Sequence, residues 1–198
     1  MATRYEYYNT GHNVGLQIRG DWWVCQTFTP SIAHTITSVE LMLYRLEGDS
    51  PGTVTVSIRA TDVNGHPTGS DLASGTTDGD ALPTSSGTWE EIAITTLIPY
   101  VLAVDTKYVI VVRALSGDAD NLVVWRGVET GIYTGGKSYR STDGGVTWAD
   151  PYADIDLMFE EWGTVASELT GRLTVKETQL RYIDKYGTER YFEGSLVV

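Results

Sequence analysis

The stretch that most constrains what this chain can fold into runs from Ser38 to Gly69, because it carries two strand patterns, a turn between them and a loop signal at its end. From Thr53 the residues alternate, with Val54, Val56, Ile58 and Ala60 on one side and Thr53, Thr55, Ser57 and Arg59 on the other. Period two is the mark of a strand with one face buried and one wet. The preceding segment sets Val39, Leu41 and Leu43 against Glu40, Met42 and Tyr44. Gly48, Asp49, Ser50, Pro51 and Gly52 turn the chain between the two, since glycine supplies positive φ and proline presets a corner. The same grammar recurs. Strand patterns at Trp22–Thr29, Asp71–Thr76, Trp89–Thr95, Lys107–Leu115, Asn121–Arg126, Lys137–Ser141 and Ile155–Trp162 are parted by Gly- and Asn-rich turns, and Lys107–Leu115 places Tyr108, Ile110, Val112 and Ala114 on one face. No helical stripe is present, so the expected fold is all-β: an antiparallel two-sheet jelly-roll sandwich with a C-terminal β-hairpin extension.

A chain of 198 residues accommodates one such sandwich, which can run to ~200–250 residues as a single domain. Residues 1–21, with Tyr5, Tyr7 and Tyr8 followed by Asn9, Gly11, Asn13 and Gly15, read as an N-terminal arm leading into a short strand near Leu16–Arg19. The sandwich is expected over 22–163. In 164–198, Leu173, Val175, Leu180 and Tyr182 mark a strand, Asp184–Gly187 a turn, and Glu189–Glu193, containing Tyr191 and Phe192, the return. A lone hairpin is marginal in water, so those six apolar side chains are the expected docking or oligomerisation surface, with a homotrimer as the expected assembly.

The net charge is −12 and the pI about 4.5, which sets the chain against phosphate backbones and anionic membrane surfaces. Residues 164–198 hold five basic and five acidic side chains, which leaves 9 basic and 21 acidic in 1–163 and puts the whole imbalance in the larger part. Cys25 is the single cysteine, so an internal disulfide is excluded, and its place in a strand-like run reads as a small buried hydrophobe. The first residues show no apolar signal-peptide core, and no stretch reaches ~18 apolar residues, so the expectation is synthesis in a cytoplasm without a leader and no membrane insertion.

Little points to catalysis. His12, His34 and His66 lie in loop-like contexts without a partner two or four residues away, which argues against zinc. A glycosidase needs two converging carboxyls, but Glu90-Glu91 and Glu160-Glu161 are neighbours on strands and point to opposite faces. No nucleophile elbow, phosphate loop or dinucleotide fingerprint is present, and a non-enzyme is expected with no cofactor beyond calcium. Asp118 and Asp120, with Asn121 nearby and Asp150, Asp154 and Asp156 further on, are the candidate Ca²⁺ ligands, although turn chemistry explains the same residues. Six Trp and twelve Tyr against three Phe favour surfaces that touch something. Trp125, Arg126, Tyr133 and Tyr139 are the candidate ligand residues, flat rings beside a guanidinium that suit a sugar face, with core and inter-subunit packing the plainer alternative for the rings.

The run Gln26-Thr27-Phe28-Thr29-Pro30, with Ser38–Tyr44, Pro51–Gly69, Leu72–Thr77, Tyr108–Val112 and Ser141–Trp148, resembles a β-sandwich module of bacterial surface proteins and of phage or environmental virus structural proteins. The resemblance covers roughly 22–163. It implies a display or adhesion unit: a non-enzymatic phage virion structural protein of the capsid-decoration, head-fibre or tail-fibre type, located in the virion, partnered by other virion proteins and sister subunits. The tail reading VKETQLRYIDKYGTERYFEG looks like a phage virion addition. The alternative is a carbohydrate-binding adhesion module for host or environmental glycans. A second resemblance lies at Ser141-Thr142-Asp143-Gly144-Gly145-Val146-Thr147-Trp148, which is similar to the Asp-box of sialidases and other propellers. There the box stabilises a hairpin away from the catalytic pocket, and a propeller needs at least four blades. One box implies only the turn: an Asp that caps it, a Gly with positive φ and a Trp packed beneath.

Overall fold

The computed structural model describes residues 1–85, 87–95, 99–150, 154–165, 181–183, 186–187 and 189–191. Its strands are β1 (Thr3–Tyr8), β2 (Val14–Ile18), β3 (Trp23–Phe28), β4 (His34–Leu41), β5 (Leu43–Arg45), β6 (Thr53–Thr61), β7 (Pro67–Asp78), β8 (Glu90–Ala93), β9 (Val101–Leu102), β10 (Tyr108–Arg113), β11 (Val123–Glu129), β12 (Ser138–Ser141), β13 (Ile155–Leu157), β14 (Phe159–Val165), β15 (Arg181–Ile183) and β16 (Glu189–Tyr191). A single 3-10 turn at Gly79–Ala81 is the only helical element among the described residues. The chain divides into two compact units, Met1–Ala166 and Ser167–Val198.

The larger unit is an antiparallel β-sandwich. One five-stranded sheet runs β12-β3-β10-β6-β7, and the other runs β1-β14-β4-β8 with β9 also paired to β4. Strands distant in sequence lie side by side, as β10 does between β3 and β6. The inner face that alternation announces for β6 is obeyed: Val54, Val56 and Ile58 are fully buried, beside Tyr108, Ile110 and Val112 of β10. Ser57, expected on the wet face, is buried as well, and its hydroxyl accepts from Arg113 Nη1 at 3.1 Å. They meet Ile36, Val39, Leu41 and Phe159 of the opposite sheet in one core. Phe28 sits 6.1 Å from Phe159 and 6.2 Å from Tyr108, ring to ring. Each such aliphatic or aromatic side chain contributes about 1.5–3 kcal/mol by leaving water.

A third, smaller sheet, β13-β11-β2 with β5 beside β11, closes one end. β4 and β14 are paired up to Leu41 and Phe159, and then part. β5 continues one way along β11 and β13 the other. At the fork the Arg126 backbone satisfies both branches, its N–H donating to Met42 O and its carbonyl accepting from Met158 N, each at 2.9 Å. Buried polar side chains stitch the same end. Gln26, fully buried, accepts from Leu157 N at 2.9 Å through Oε1, and Ser138 Oγ donates to the Ile155 carbonyl. Left unpaired, each of these groups would cost about 1–3 kcal/mol.

Two expectations need correction. Residues 1–21 are no separate arm: β1 is an edge strand on β14, with Thr3 opposite Gly163 and Tyr8 opposite Phe159, and β2 pairs with β11 from Val14 to Ile18. The Gly- and Asn-rich stretch between them is the crossing from one sheet to the other. His34 is no loop residue either; it opens β4 and is fully buried.

In the smaller unit, β15 and β16 form an antiparallel hairpin with Tyr182 opposite Arg190 and Arg181 opposite Tyr191, and Gly187 takes φ +80° in the turn. Of the expected docking residues, Tyr182 and Tyr191 lie on these strands. Leu173, Val175, Leu180 and Phe192 lie outside the described residues.

Candidate functional site

The outer face of the β12-β3-β10-β6-β7 sheet is not simply wet. Cys25, Val109 and Val111 are fully buried there and Tyr139 nearly so, with Trp23 and Trp148 packed over them. The cover is the hairpin after β12, built by Ser141–Trp148. Ser141 Oγ donates to Asp143 Oδ1 at 2.7 Å and accepts from Gly145 N at 2.8 Å, while Asp143 accepts from both the N–H (2.9 Å) and the hydroxyl (2.6 Å) of Thr147. Bonds from the Thr147 hydroxyl and N–H, then from Ser141, hold the Asp143 carboxyl down at about 2. Gly144 and Gly145 take φ +70° and +84°, and a Cβ on Gly145 would lie 2.7 Å from the Trp23 ring. The Trp148 indole N–H closes the turn on Gly145 O at 3.2 Å.

Beyond Trp23 the face carries a charge network. Asp71 accepts from Arg59 Nε at 2.7 Å and from Arg113 Nη2 at 2.5 Å, and both guanidiniums lie within 6 Å of the Trp23 ring. Burial alone would raise the Asp71 carboxyl; Arg113 and then Arg59 more than reverse it, to about 2.

Inside the sandwich lies a buried ion pair. His34 Nε2 is 2.8 Å from both Glu161 oxygens, its Nδ1 donates to the Ile32 carbonyl at 2.7 Å, and the ring stacks on Tyr5 at 3.7 Å. Both ring nitrogens therefore face acceptors, which favours the doubly protonated ring. Burial would lower the His34 pKa, but the bond and charge of Glu161 raise it above the ordinary value. Burial likewise raises Glu161, against the pull of His34. Glu160, its neighbour, points to the other face of β14 and takes bonds from Arg4 (2.8 Å) and Asn9 (2.7 Å). The two adjacent carboxylates do not converge.

Trp125 is fully buried, and its indole N–H donates to Met158 O at 2.8 Å. It offers no surface to a ligand, which corrects its expected role: β11 runs against the fork and its alternate residues face the core. Tyr133 packs on Phe159 (5.4 Å) and Tyr8 (5.9 Å), and burial raises its hydroxyl pKa. Tyr139 donates to Asn64 O at 3.0 Å and serves the outer-face cluster. Arg126 is half-buried beside Gly15. These four do not form one site.

Asp118 Oδ1 accepts from Asp120 N at 2.9 Å and Asn121 Nδ2 at 3.0 Å, so Asp118 and Asp120 belong to a capped turn. Among the described residues no group of three or more His, Cys, Asp or Glu is placed to hold a metal ion, and the expected calcium ligands do not converge.

What sequence reasoning missed is a cleft of ≈ 210 Å³ between β2 and the start of β3 with β12, lined by Leu16, Gln17, Trp22, Trp23, Arg140 and Ser141 among others. The adjacent pair Trp22-Trp23 was the available signal. No protein-family model matches the chain, and no curated protein matches it.

Proposed function

We propose that the chain is a non-enzymatic structural protein of a phage-like particle, a sandwich displayed at the surface and fastened by its C-terminal unit to the particle and to sister subunits. The observation that carries this reading is the division at Ala166. The sandwich owns a complete core, whereas the described secondary structure of Ser167–Val198 is one two-stranded hairpin. Such a hairpin is marginal alone and gains stability by docking. The chemistry of the larger unit agrees: a lone cysteine that is buried, and stability vested in packing and hydrogen-bonded turns rather than disulfides, suit a protein assembled under reducing conditions. The test is immunogold labelling of purified particles with antibody to residues 1–166. Regular labelling of virion heads or tails is expected; labelling of cell envelopes or secretion structures would overturn the reading.

A further inference from the structure

We propose that the cleft between β2 and the β3/β12 edge binds a single pyranose ring of a glycan. The inference does not depend on the particle reading; it concerns what the sandwich can hold wherever it is displayed. Size comes first. At ≈ 210 Å³ the cleft falls below the ~300–1,000 Å³ of pockets for drug-sized ligands, so one ring fits and an extended apolar ligand does not.

The walls supply the two kinds of contact that a sugar ring requires. Trp22 presents apolar indole surface for the C–H face of a ring. Gln17 is exposed, and among the described residues its amide has no partner, so a donor and an acceptor are available for neighbouring hydroxyls. The Trp22 indole N–H is likewise without an acceptor among the described residues. Among the described residues no carboxylate lines the cleft, although the chain as a whole carries −12.

The walls are also fixed in advance, which lowers the ordering cost of binding. Trp22 is presented by a tight turn in which Arg19 N donates to Trp22 O at 3.0 Å, Trp22 N donates to Arg19 O at 2.7 Å, and Gly20 takes φ +46°. The Arg19 guanidinium lies 4.4 Å from one face of the Trp22 ring and braces it. Trp23 is held by its N–H on Gly20 O at 3.0 Å and by Gly145 against its ring. Ser141 is locked by the Asp-box bonds, so the hairpin that covers the outer face also sets one wall of the cleft.

The test uses the full-length chain and saturation-transfer NMR with methyl glucoside, galactoside, mannoside and N-acetylglucosaminide at millimolar concentration, alongside Trp22→Ala, Gln17→Ala and Tyr7→Ala. Tyr7 is an exposed aromatic on the other sheet and controls for unspecific ring contact. The expected result is saturation transfer to at least one pyranoside, weakened roughly tenfold by Trp22→Ala and by Gln17→Ala and unchanged by Tyr7→Ala. Gln17 is a surface residue whose loss spares the fold, so its variant keeps the test decisive if Trp22→Ala fails to fold. Absence of transfer to every pyranoside, or transfer that survives Gln17→Ala undiminished, would overturn the proposal.

Discussion

The two faces of the β12-β3-β10-β6-β7 sheet are both dry at β10, but for different reasons. On the inner face Ile110 and Val112 meet the opposite sheet, and the whole sandwich must come apart to wet them. On the outer face Val109 and Val111 are covered by Trp23, Tyr139 and Trp148, held by one hairpin with its Asp-box bonds. The inner face is secured by many sequence-distant strands, the outer by a local polar turn resting on a ring. The first should unfold cooperatively, while the second can open by itself.

The largest effect is expected inside. Trp125→Ala removes a fully buried indole and leaves the Met158 carbonyl without its donor, and should cost about 3–5 kcal/mol in urea unfolding followed by far-UV circular dichroism. Outside, Gly145→Ala forces a Cβ to within 2.7 Å of the Trp23 ring at a positive φ. That change should cost about 1–3 kcal/mol and alter the near-UV tryptophan signal while the far-UV spectrum holds. Equal costs and a far-UV change in both variants would erase the distinction between the faces.

That contrast also marks what the sequence discloses. Alternation predicts the inner face of β6 and β10 residue by residue, because a strand with one buried side has period two. It could not foresee that Val109 and Val111 would be covered, since the cover comes from Trp23, Tyr139 and Trp148, all distant in sequence. The turn from Ser141 to Trp148 was legible, because its bonds are local. The pairing of His34 with Glu161 and of Asp71 with Arg113 leaves no local trace: the partners are 127 and 42 residues apart. β2 was legible as the short strand near Leu16–Arg19, but β1 was hidden by the Gly- and Asn-rich link that follows it. For Trp125 the sequence left ligand contact and core packing both open, because burial of β11 depends on the fork of β4 and β14. The cleft needed three strands to exist at all.

A smaller effect separates the faces by pH. The Asp71 carboxyl falls from 3.8 to about 2 on folding, so its stabilisation is present above 3.8 and is lost as pH drops through about 2. At about 1.4 kcal/mol per unit, discounted for a partly exposed group, the acid loss should be roughly 1 kcal/mol. Asp71→Asn should remove that share of the acid limb and leave the share that comes from Asp143, whose carboxyl folding also holds down. The interior pair has the opposite sign. His34 and Glu161 are both raised by folding, so the folded chain keeps protons that the unfolded chain releases, and stability is full below the ordinary carboxyl and imidazole values and declines as pH rises through the raised ones. Glu161→Gln, which removes the raised carboxyl and the partner that raises His34, should flatten the neutral-to-alkaline decline and leave the acid limb intact. Urea midpoints from pH 2 to 9 for the three proteins check both limbs.

The central claim is that the sandwich is self-sufficient and the C-terminal unit serves assembly. Static light scattering on the full-length chain beside residues 1–166, with circular dichroism on each, tests it most directly. The account predicts a folded monomer for 1–166 and a stable oligomer for the full chain. A full chain that stays monomeric, or a truncation that fails to fold, would contradict it.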